Sequence, residues 1–329
     1  MCTAIGCRWK EYYFGRTLDY EVSYGETVTV VPRNFNFGFK GEGKQHYAMI
    51  GMTAGAHLSG EYPLFYDGAN EKGLCMAGLN FVGNAVYEKG GEGKRKVAVY
   101  ELIPWILGGC ASVKEAVEAL GTASLTDTPF RTPSGELLPS AELHWLIGDR
   151  EGAVTVESTA EGLRIYDNPV CVLTNNPPFP VQLFSLNNYG NLSPKEREAE
   201  FSGSFTPKRY SRGMGAVGLP GDWSSGSRFV RAAFVKLNSL EGESEEANVG
   251  QFFHILDAVN VPRGSCILDN GGEEITVYTS CINGDKGIYY YTAYGNRQIT
   301  AVDMREVDLD GFVPLRFPLI TGQSIFRQN

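Results

Sequence analysis

Apolar and polar positions along the first quarter of the chain follow the pattern of β-strands joined by tight turns. Residues 27–31 alternate with the two-residue period that is typical of a strand with one buried face. Other segments are short apolar runs bounded by turn residues. The pattern predicts strands over residues 3–7, 12–17, 27–31, 48–54 and 75–81. The last of these follows a turn signal at residues 70–73.

A helical pattern then replaces the strand pattern. Residues 100–107 are apolar on one face, and Ser112 opens a capping-box signature for a helix over 113–120. Gly121 is the predicted end of that helix. Residues 122–142 are polar and contain proline, which predicts a loop. Two further helices are predicted later in the chain, over residues 228–240 and 245–259.

Short strands return after residue 142. They are predicted over residues 144–147, 153–157, 163–166, 170–174, 275–282, 287–294 and 298–304. Asn283 and Gly284 predict a type I′ turn between two of them. Residues 177–226 have few regular patterns, which is more typical of a loop system around a substrate site than of a linker. This order of elements, without βαβ alternation, predicts an α+β fold with an antiparallel sheet and one domain over residues 1–329.

The composition of the chain argues against several classes of partner and site. A net charge of -9 argues against nucleic acids and anionic membranes as partners, because both would be repelled. No stretch approaches the roughly 20 apolar residues of a membrane span, and the N-terminus lacks the features of a signal peptide. The seven cysteines are scattered without a C-x-x-C pair, which favours reduced thiols in the cytoplasm. The four histidines lie far apart, so nothing local indicates a metal site, and we expect no cofactor.

Cys2 carries the first candidate chemistry. Removal of Met1 would expose a thiol and an α-amine on one residue, and such an amine can accept the proton of the nucleophile. The alternative is that Cys2 is a small buried residue of the first strand. A thiol pKa of about 8.5 and an amine pKa of about 7.7–8 leave little thiolate at pH 7, so the site needs a cation. Arg16 supplies one and Asp19 would hold the α-amine, unless these two form a surface ion pair worth about 0–1 kcal/mol.

Further motifs are spread along the whole chain. They are residues 1–5, 14–20, 62–67, 70–74, 77–81, 143–145, 172–177, 218–222, 227–229 and 286–291. Together they resemble the choloylglycine hydrolase family of N-terminal-nucleophile hydrolases, which contains conjugated bile salt hydrolases and penicillin V acylases. The resemblance covers nearly the whole chain. It implies a four-layer αββα sandwich with antiparallel sheets.

The resemblance implies catalytic roles residue by residue. Cys2 attacks the substrate amide carbonyl, and Arg16 and Asp19 tune and orient it. Asn80, through its backbone N–H, and Asn175, through its side-chain amide, bind the oxyanion. Taken alone, Asn175 is more typical of a turn residue.

Other residues have implied roles around this centre. Arg228 is the remaining family cation near the nucleophile, although taken alone it is more typical of an exposed arginine at a helix start. Leu18, Tyr66 and Leu143 match positions in the family's substrate pocket, and ordinary core positions are the alternative. Arg212 lies in a glycine-rich loop that the resemblance places at the pocket mouth. There it would favour taurine conjugates, unless it simply points to water.

Two positions depart from the family pattern. Cys75 and Cys171 stand where glycine is expected, beside the strands of Asn80 and Asn175. One expectation is that both positions tolerate the small cysteine side chain. The alternative is that the cysteines distort the oxyanion hole or make the pocket sensitive to oxidation.

The motifs favour hydrolysis of glycine- or taurine-conjugated bile salts. The alternatives are a penicillin V acylase and a non-catalytic ligand-binding relative of the same fold. An unrelated β-rich structural protein is a more remote alternative. The resemblance also implies a homotetramer.

Overall fold

Strands account for most of the regular structure in this computed structural model, which describes residues 1–39, 46–88, 94–196 and 201–329. The strands are β1 (Cys2–Arg8), β2 (Tyr12–Tyr20), β3 (Thr27–Val31), β4 (Met49–Thr53), β5 (Phe65–Asn70), β6 (Cys75–Asn80), β7 (Arg95–Ala98), β8 (Ala123–Thr126), β9 (Phe130–Arg131), β10 (Leu137–Leu138), β11 (Leu143–Gly148), β12 (Ala153–Thr159), β13 (Gly162–Asp167), β14 (Val172–Leu173), β15 (Ile275–Asn283), β16 (Ile288–Ala293), β17 (Asn296–Asp303) and β18 (Leu315–Pro318). The helices are α1 (Ala56–Ser59), α2 (Leu102–Gly109), α3 (Val113–Gly121), α4 (Phe179–Ser185), α5 (Ser225–Asn238) and α6 (Glu245–Asp257).

Two antiparallel sheets form the centre of the structure. One has six strands in the order β14-β1-β2-β15-β16-β17, and the other has eight in the order β13-β12-β11-β6-β5-β4-β3-β18. Their facing sides share one apolar core, to which Ala4 and Phe14 contribute from the first sheet and Ile50 and Leu79 from the second. Burial on this scale supplies the main driving force for folding.

Helices cover both outer faces. Helices α5 and α6 pack on the six-stranded sheet, and α2 packs on the eight-stranded sheet. The second contact is a separate apolar cluster in which Leu102 and Ile106 of α2 meet Met49 and Met76. The layers therefore run helix, sheet, sheet, helix, and the predicted αββα sandwich is confirmed.

The pairing of β1 with β2 decides where the candidate chemistry lies. Cys2 pairs with Leu18, and Ala4 pairs with Arg16. Successive side chains of a strand point to opposite faces. The thiol and Arg16 therefore face the interior between the sheets, whereas Asp19 faces the layer of helices.

Several predicted boundaries are wrong for identifiable reasons. The type I′ turn at Asn283 and Gly284 is absent, because β15 continues through Asn283 and Gly287 takes the left-handed conformation with φ 71°. The predicted loop over 122–142 contains β8, which pairs in parallel with β7 after the crossover through α2 and α3. The irregular stretch over 177–226 contains α4, and its residues 197–200 lie outside the described part of the chain.

None of the described helices combines the length and apolar character that a bilayer crossing requires.

Candidate active site

The thiol of Cys2 lies against the guanidinium of Arg16. The distance from Sγ to Nη2 is 2.6 Å, and both side chains are buried. Nη1 of Arg16 donates to the carbonyl oxygen of Gly78 at 2.5 Å and to that of Tyr66 at 3.3 Å. These neutral acceptors fix the guanidinium without neutralising it. Its positive charge is therefore available to stabilise a thiolate at Cys2.

A buried carboxylate behind Arg16 was not predicted as a site residue. The carboxylate of Asp67 accepts hydrogen bonds from the hydroxyls of Tyr278 and Tyr289, both at 2.6 Å. Burial raises the pKa of Asp67, and Arg16 opposes that rise. Burial alone would lower the pKa of Arg16, but the nearby groups of Cys2, Tyr278 and Asp67 outweigh burial and raise it. The sequence signal for Asp67 was its place at the end of the motif at residues 62–67, to which no catalytic role was assigned.

Asp19 lies on the opposite face of β2 from Arg16. Its carboxylate accepts hydrogen bonds from Thr276 at 2.6 Å and from Thr17 at 3.1 Å. Burial raises the pKa of Asp19, and the charge of Arg228 opposes that rise.

Met1 is attached to Cys2 in this structure and pairs with Asp19 through the backbone. Its ammonium group donates to the Asp19 carbonyl oxygen at 2.6 Å and forms an ion pair with Glu274. The Cys2 nitrogen is consequently a peptide N–H, and it donates to Oδ1 of Asn175 at 2.9 Å. The hydrogen bond between the Asp19 carboxylate and a free α-amine at Cys2 stays a prediction for the trimmed chain.

Asn175 connects the nucleophile to the strand of Asn80. Its Oδ1 accepts the Cys2 N–H, and its Nδ2 donates to the carbonyl oxygen of Asn80 at 2.8 Å. Ser225 fixes the backbone of Asn175 by accepting its N–H at 2.8 Å. An amide nitrogen carries two N–H groups. One N–H of the Asn175 amide is therefore taken by Asn80 and a second N–H remains, while Asn175 itself is not among the residues that line the cavity described below.

Arg228 is buried rather than exposed at its helix start. Its Nη1 donates to the carbonyl oxygen of Cys2 at 2.5 Å and to the hydroxyl of Thr3 at 2.7 Å. Its Nη2 donates to Oδ1 of Asn175 at 2.7 Å. Burial lowers the pKa of Arg228, while Asp19 and Cys2 oppose that effect. The residue thus holds the backbone of Cys2 and the amide of Asn175 in one arrangement.

A cavity of about 280 Å³ opens beside Cys2. Leu18, Tyr66 and Leu143 all line it, as their predicted roles require. Much of the remaining wall is apolar or aromatic and includes Ala54, Leu58, Leu64, Phe65, Val99, Tyr100, Ile103, Phe130, Leu138, Pro139 and Trp145. Arg16 and Asn80 also line the cavity, so a cation and a polar group share the cavity with the thiol.

Arg212 lies outside this group of residues. Its side chain is exposed, and it does not line the cavity that contains Cys2. The neighbouring backbone N–H groups of Gly213 and Met214 donate to the Glu196 carboxylate at 2.5 Å and 3.1 Å, which holds the loop. The expected position of Arg212 at the pocket mouth and its preference for taurine conjugates stay predictions.

The two departures from the family pattern leave the Asn175 contacts in place. Cys171 has a φ of 45°, the left-handed conformation that favours glycine, which explains the expectation of glycine at this position. Its sulfur lies 3.9 Å from the hydroxyl of Tyr12. Burial raises the pKa of Cys171 and of Cys75. The two thiols are therefore poorer nucleophiles than an exposed cysteine would be.

Among the described residues, no group of three or more His, Cys, Asp or Glu side chains has a geometry that could hold a metal ion.

Comparison with known proteins decides the family. Residues 2–316 match the linear amide C–N hydrolases of the choloylglycine hydrolase family. The chain belongs to this family. It is therefore an amidohydrolase that acts on linear amides, and the resemblance seen in the sequence is confirmed.

Named members of the choloylglycine hydrolase family are similar to this chain over most or all of their length. A bile salt hydrolase/transferase of Lactiplantibacillus plantarum is 48% identical, with 100% of both chains covered. A bile salt hydrolase/transferase of Clostridium perfringens is 39% identical, with 94% of each chain covered.

Solved structures show the same family fold. A mutant conjugated bile acid hydrolase of Clostridium perfringens superposes with a TM-score of 0.90 at 36% identity, and 100% of both chains is covered. The penicillin V acylase of Agrobacterium tumefaciens has a TM-score of 0.73 at 21% identity, with 96% of this chain and 90% of that chain covered. The second likeness shows a shared fold.

Proposed function

We propose that this enzyme hydrolyses the amide bond of glycine- or taurine-conjugated bile salts, with Cys2 as nucleophile after removal of Met1. The observation that carries the proposal is the 2.6 Å contact between Cys2 Sγ and Arg16 at a largely apolar cavity. A charged centre beside an apolar wall suits a substrate with a bulky apolar acyl group and a polar amide. The names of its similar relatives support the same substrate class.

The geometry supports a two-stage mechanism. The Cys2 thiolate attacks the amide carbonyl carbon, and a C–S bond forms as the carbonyl oxygen becomes an oxyanion. The Asn175 amide and the Asn80 backbone N–H stabilise that oxyanion. The C–N bond then breaks, and the departing glycine or taurine takes a proton from the α-ammonium group of Cys2. This leaves a thioester between Cys2 and the bile acid.

The second stage releases the bile acid. The α-amine of Cys2, now neutral, accepts a proton from a water molecule whose oxygen attacks the thioester carbonyl. The C–S bond breaks, and the sulfur leaves as a thiolate beside Arg16. The buried guanidinium therefore stabilises the same anion before attack and after release.

Measuring the amine that each substrate releases distinguishes a bile salt hydrolase from a penicillin V acylase. The purified enzyme is incubated with glycocholate, taurocholate and penicillin V, and the products are quantified. We expect glycine from glycocholate and taurine from taurocholate at rates well above that of penicillin V cleavage. Selective cleavage of penicillin V would refute the proposal. Binding of bile salts without turnover would indicate a non-catalytic relative.

We also propose that the chain is a single domain over residues 1–329 that assembles as a homotetramer in the cytoplasm. Exposed aromatic side chains support assembly: Phe201 is 76% exposed and Tyr210 is 87% exposed. The ring of Phe201 also contacts that of the exposed Phe205, with centroids 6.0 Å apart, and exposed apolar groups that lie together are typical of interaction surfaces. Light scattering coupled to size exclusion would give four times the chain mass for a tetramer.

A further inference from the structure

One buried histidine touches both segments that carry the proposed oxyanion donors. His144 lies on β11, adjacent to the Leu143 position that pairs with Asn80. Its ring stacks on that of Phe81, with a centroid separation of 4.3 Å and an interplanar angle of 7°. Its Nε2 lies 2.7 Å from the carbonyl oxygen of Thr174. Phe81 follows Asn80 in the chain, and Thr174 precedes Asn175.

A buried glutamate fixes the other side of the ring. Nδ1 of His144 lies 3.0 Å from Oε1 of Glu157, and both side chains are buried. The same Oε1 accepts the backbone N–H of Phe179 at 2.8 Å. The Thr174 carbonyl can only accept, so Nε2 carries a hydrogen. The contact between Nδ1 and Oε1 holds the second ring nitrogen, so both nitrogens of the ring have a partner.

The two segments that carry the proposed oxyanion donors are linked to each other twice. Asn175 already donates to the Asn80 carbonyl at 2.8 Å, which links the two segments directly. His144 links the same segments one residue away, through Thr174 and Phe81. Two links between the same segments restrict how far apart the donors can move. Oxyanion stabilisation depends on donors that are already in place when the charge develops.

We propose that His144, held by Glu157, is a positioning residue that sets the spacing of the Asn80 and Asn175 oxyanion donors. This inference rests on the proposed function, because it needs an oxyanion at that place. His144 is absent from the cavity wall and acts through its two neighbours. Its loss should therefore lower kcat much more than it changes KM, since the oxyanion exists only along the reaction path.

Two substitutions separate the two contacts. His144→Phe keeps a ring for Phe81 and removes the hydrogen bond to Thr174. His144→Gln keeps a donor for Thr174 and removes the stacked ring. We expect kcat on glycocholate to fall about 10²-fold in His144→Phe, the scale typical of a misplaced catalytic group. We expect a smaller fall in His144→Gln, because the donor to Thr174 sets the position of Asn175.

Val156→Ala is the matched structural control. Val156 is a buried residue next to Glu157 on β12, and it packs in the apolar cluster on the opposite side of the sheet. Its truncation costs stability without touching Thr174 or Phe81. Thermal melting of the control and the two histidine variants shows how much each loses in stability, and we expect kcat to be retained in Val156→Ala.

Alkylation of Cys2 by iodoacetamide provides the second readout. That reaction displaces iodide at a saturated carbon and forms no oxyanion, so a variant with misplaced donors should be alkylated at the wild-type rate. A wild-type kcat in His144→Phe, or a change confined to KM, would overturn the inference. Equal losses of alkylation and kcat would also overturn it, because they would indicate general loosening. A wild-type enzyme that cleaves no conjugate refutes the proposed function itself, and this inference with it.

Discussion

The sulfur of Cys2 and Nη2 of Arg16 lie 2.6 Å apart across the β1–β2 pair, although the residues are 14 positions apart in the chain. The contact is buried, so solvent screens the interaction only weakly. Backbone carbonyls bind Nη1 of the guanidinium, the Asp67 carboxylate interacts with it through its charge, and Nη2 contacts the thiol. The geometry therefore places a buried cation against the sulfur atom that would attack the substrate.

Substitution of the nucleophile should abolish turnover and keep the fold. In Cys2→Ser the hydroxyl is far harder to ionise than a thiol, so kcat on glycocholate should fall by several orders of magnitude. Cys75→Ser is a matched control, because it makes the same atomic change at a buried thiol that contacts Gly73. Near-normal turnover in Cys2→Ser would contradict the assignment of Cys2.

The active enzyme should begin at Cys2. With Met1 attached, the Cys2 nitrogen is a peptide N–H that donates to Asn175, and a peptide nitrogen cannot accept a proton. Burial lowers the pKa of the Met1 ammonium, while Cys2 and Asp19 oppose that effect. Intact-mass measurement of active protein should show loss of one methionine. Full activity in protein that retains Met1 would refute the mechanism.

Asn175→Ala should lower kcat by about 10²–10³-fold, the usual cost of removing one oxyanion donor. KM should change little, because the donor acts in the transition state. Asn176→Ala is the control: this neighbouring amide is exposed and donates to the Val82 carbonyl at 2.8 Å. If only KM changed in Asn175→Ala, the oxyanion role would have to move to another group.

Asp67→Asn should shift the pH dependence of Cys2 reactivity. The substitution removes a negative charge that interacts with Arg16, so more of the guanidinium's field acts on the thiol. The thiolate then forms more readily, and the pH profile of iodoacetamide alkylation should move to lower pH. Asp149→Asn removes a buried carboxylate that binds the Val113 N–H instead, and it should leave the profile unchanged. A shift to higher pH in Asp67→Asn would contradict this electrostatic coupling.

Arg212→Ala tests the choice of amino acid. The earlier expectation is that Arg212 favours taurine conjugates, and the side chain is exposed outside the cavity. If the loop guanidinium reaches the sulfonate of the bound conjugate, the ratio of kcat/KM for taurocholate to that for glycocholate should fall in the variant. Arg209→Ala, at another exposed position of this segment, should leave the ratio unchanged. An unchanged ratio in Arg212→Ala would exclude a role for this loop arginine.

Local patterns in the sequence were sufficient to predict the strands that carry Cys2 and Arg16. Residues 12–17 were predicted, and β2 contains them. Strand β5 was not predicted, because glycine, aspartate and asparagine make up much of it and these residues are depleted in strands. Its strand conformation is set by pairing with β4 and β6 on either side. Tertiary pairing of this kind is not visible in a local window.

The remaining site contacts join residues that are far apart in the sequence. Thr276 and Tyr278 meet Asp19 and Asp67, respectively, more than 200 residues away in the chain. Arg228 is buried because the carbonyl of Cys2 and the side chain of Thr3 satisfy it. The pattern of residues within one helix does not show which distant groups its side chains contact. The position of Arg228 at the start of a helix therefore suggested an exposed residue.

The register of the β1–β2 pair has a further consequence for how this enzyme tolerates change. Cys2 and Arg16 share a face only while Cys2 pairs with Leu18 and Ala4 with Arg16. A slip of one residue would turn one strand over and place thiol and guanidinium on opposite sides of the sheet. Insertion or deletion of one residue in the connection between the strands, residues 9–11, would therefore threaten catalysis through folding, without altering any catalytic residue. The length of this three-residue connection is therefore under constraint, although none of its residues takes part in the chemistry.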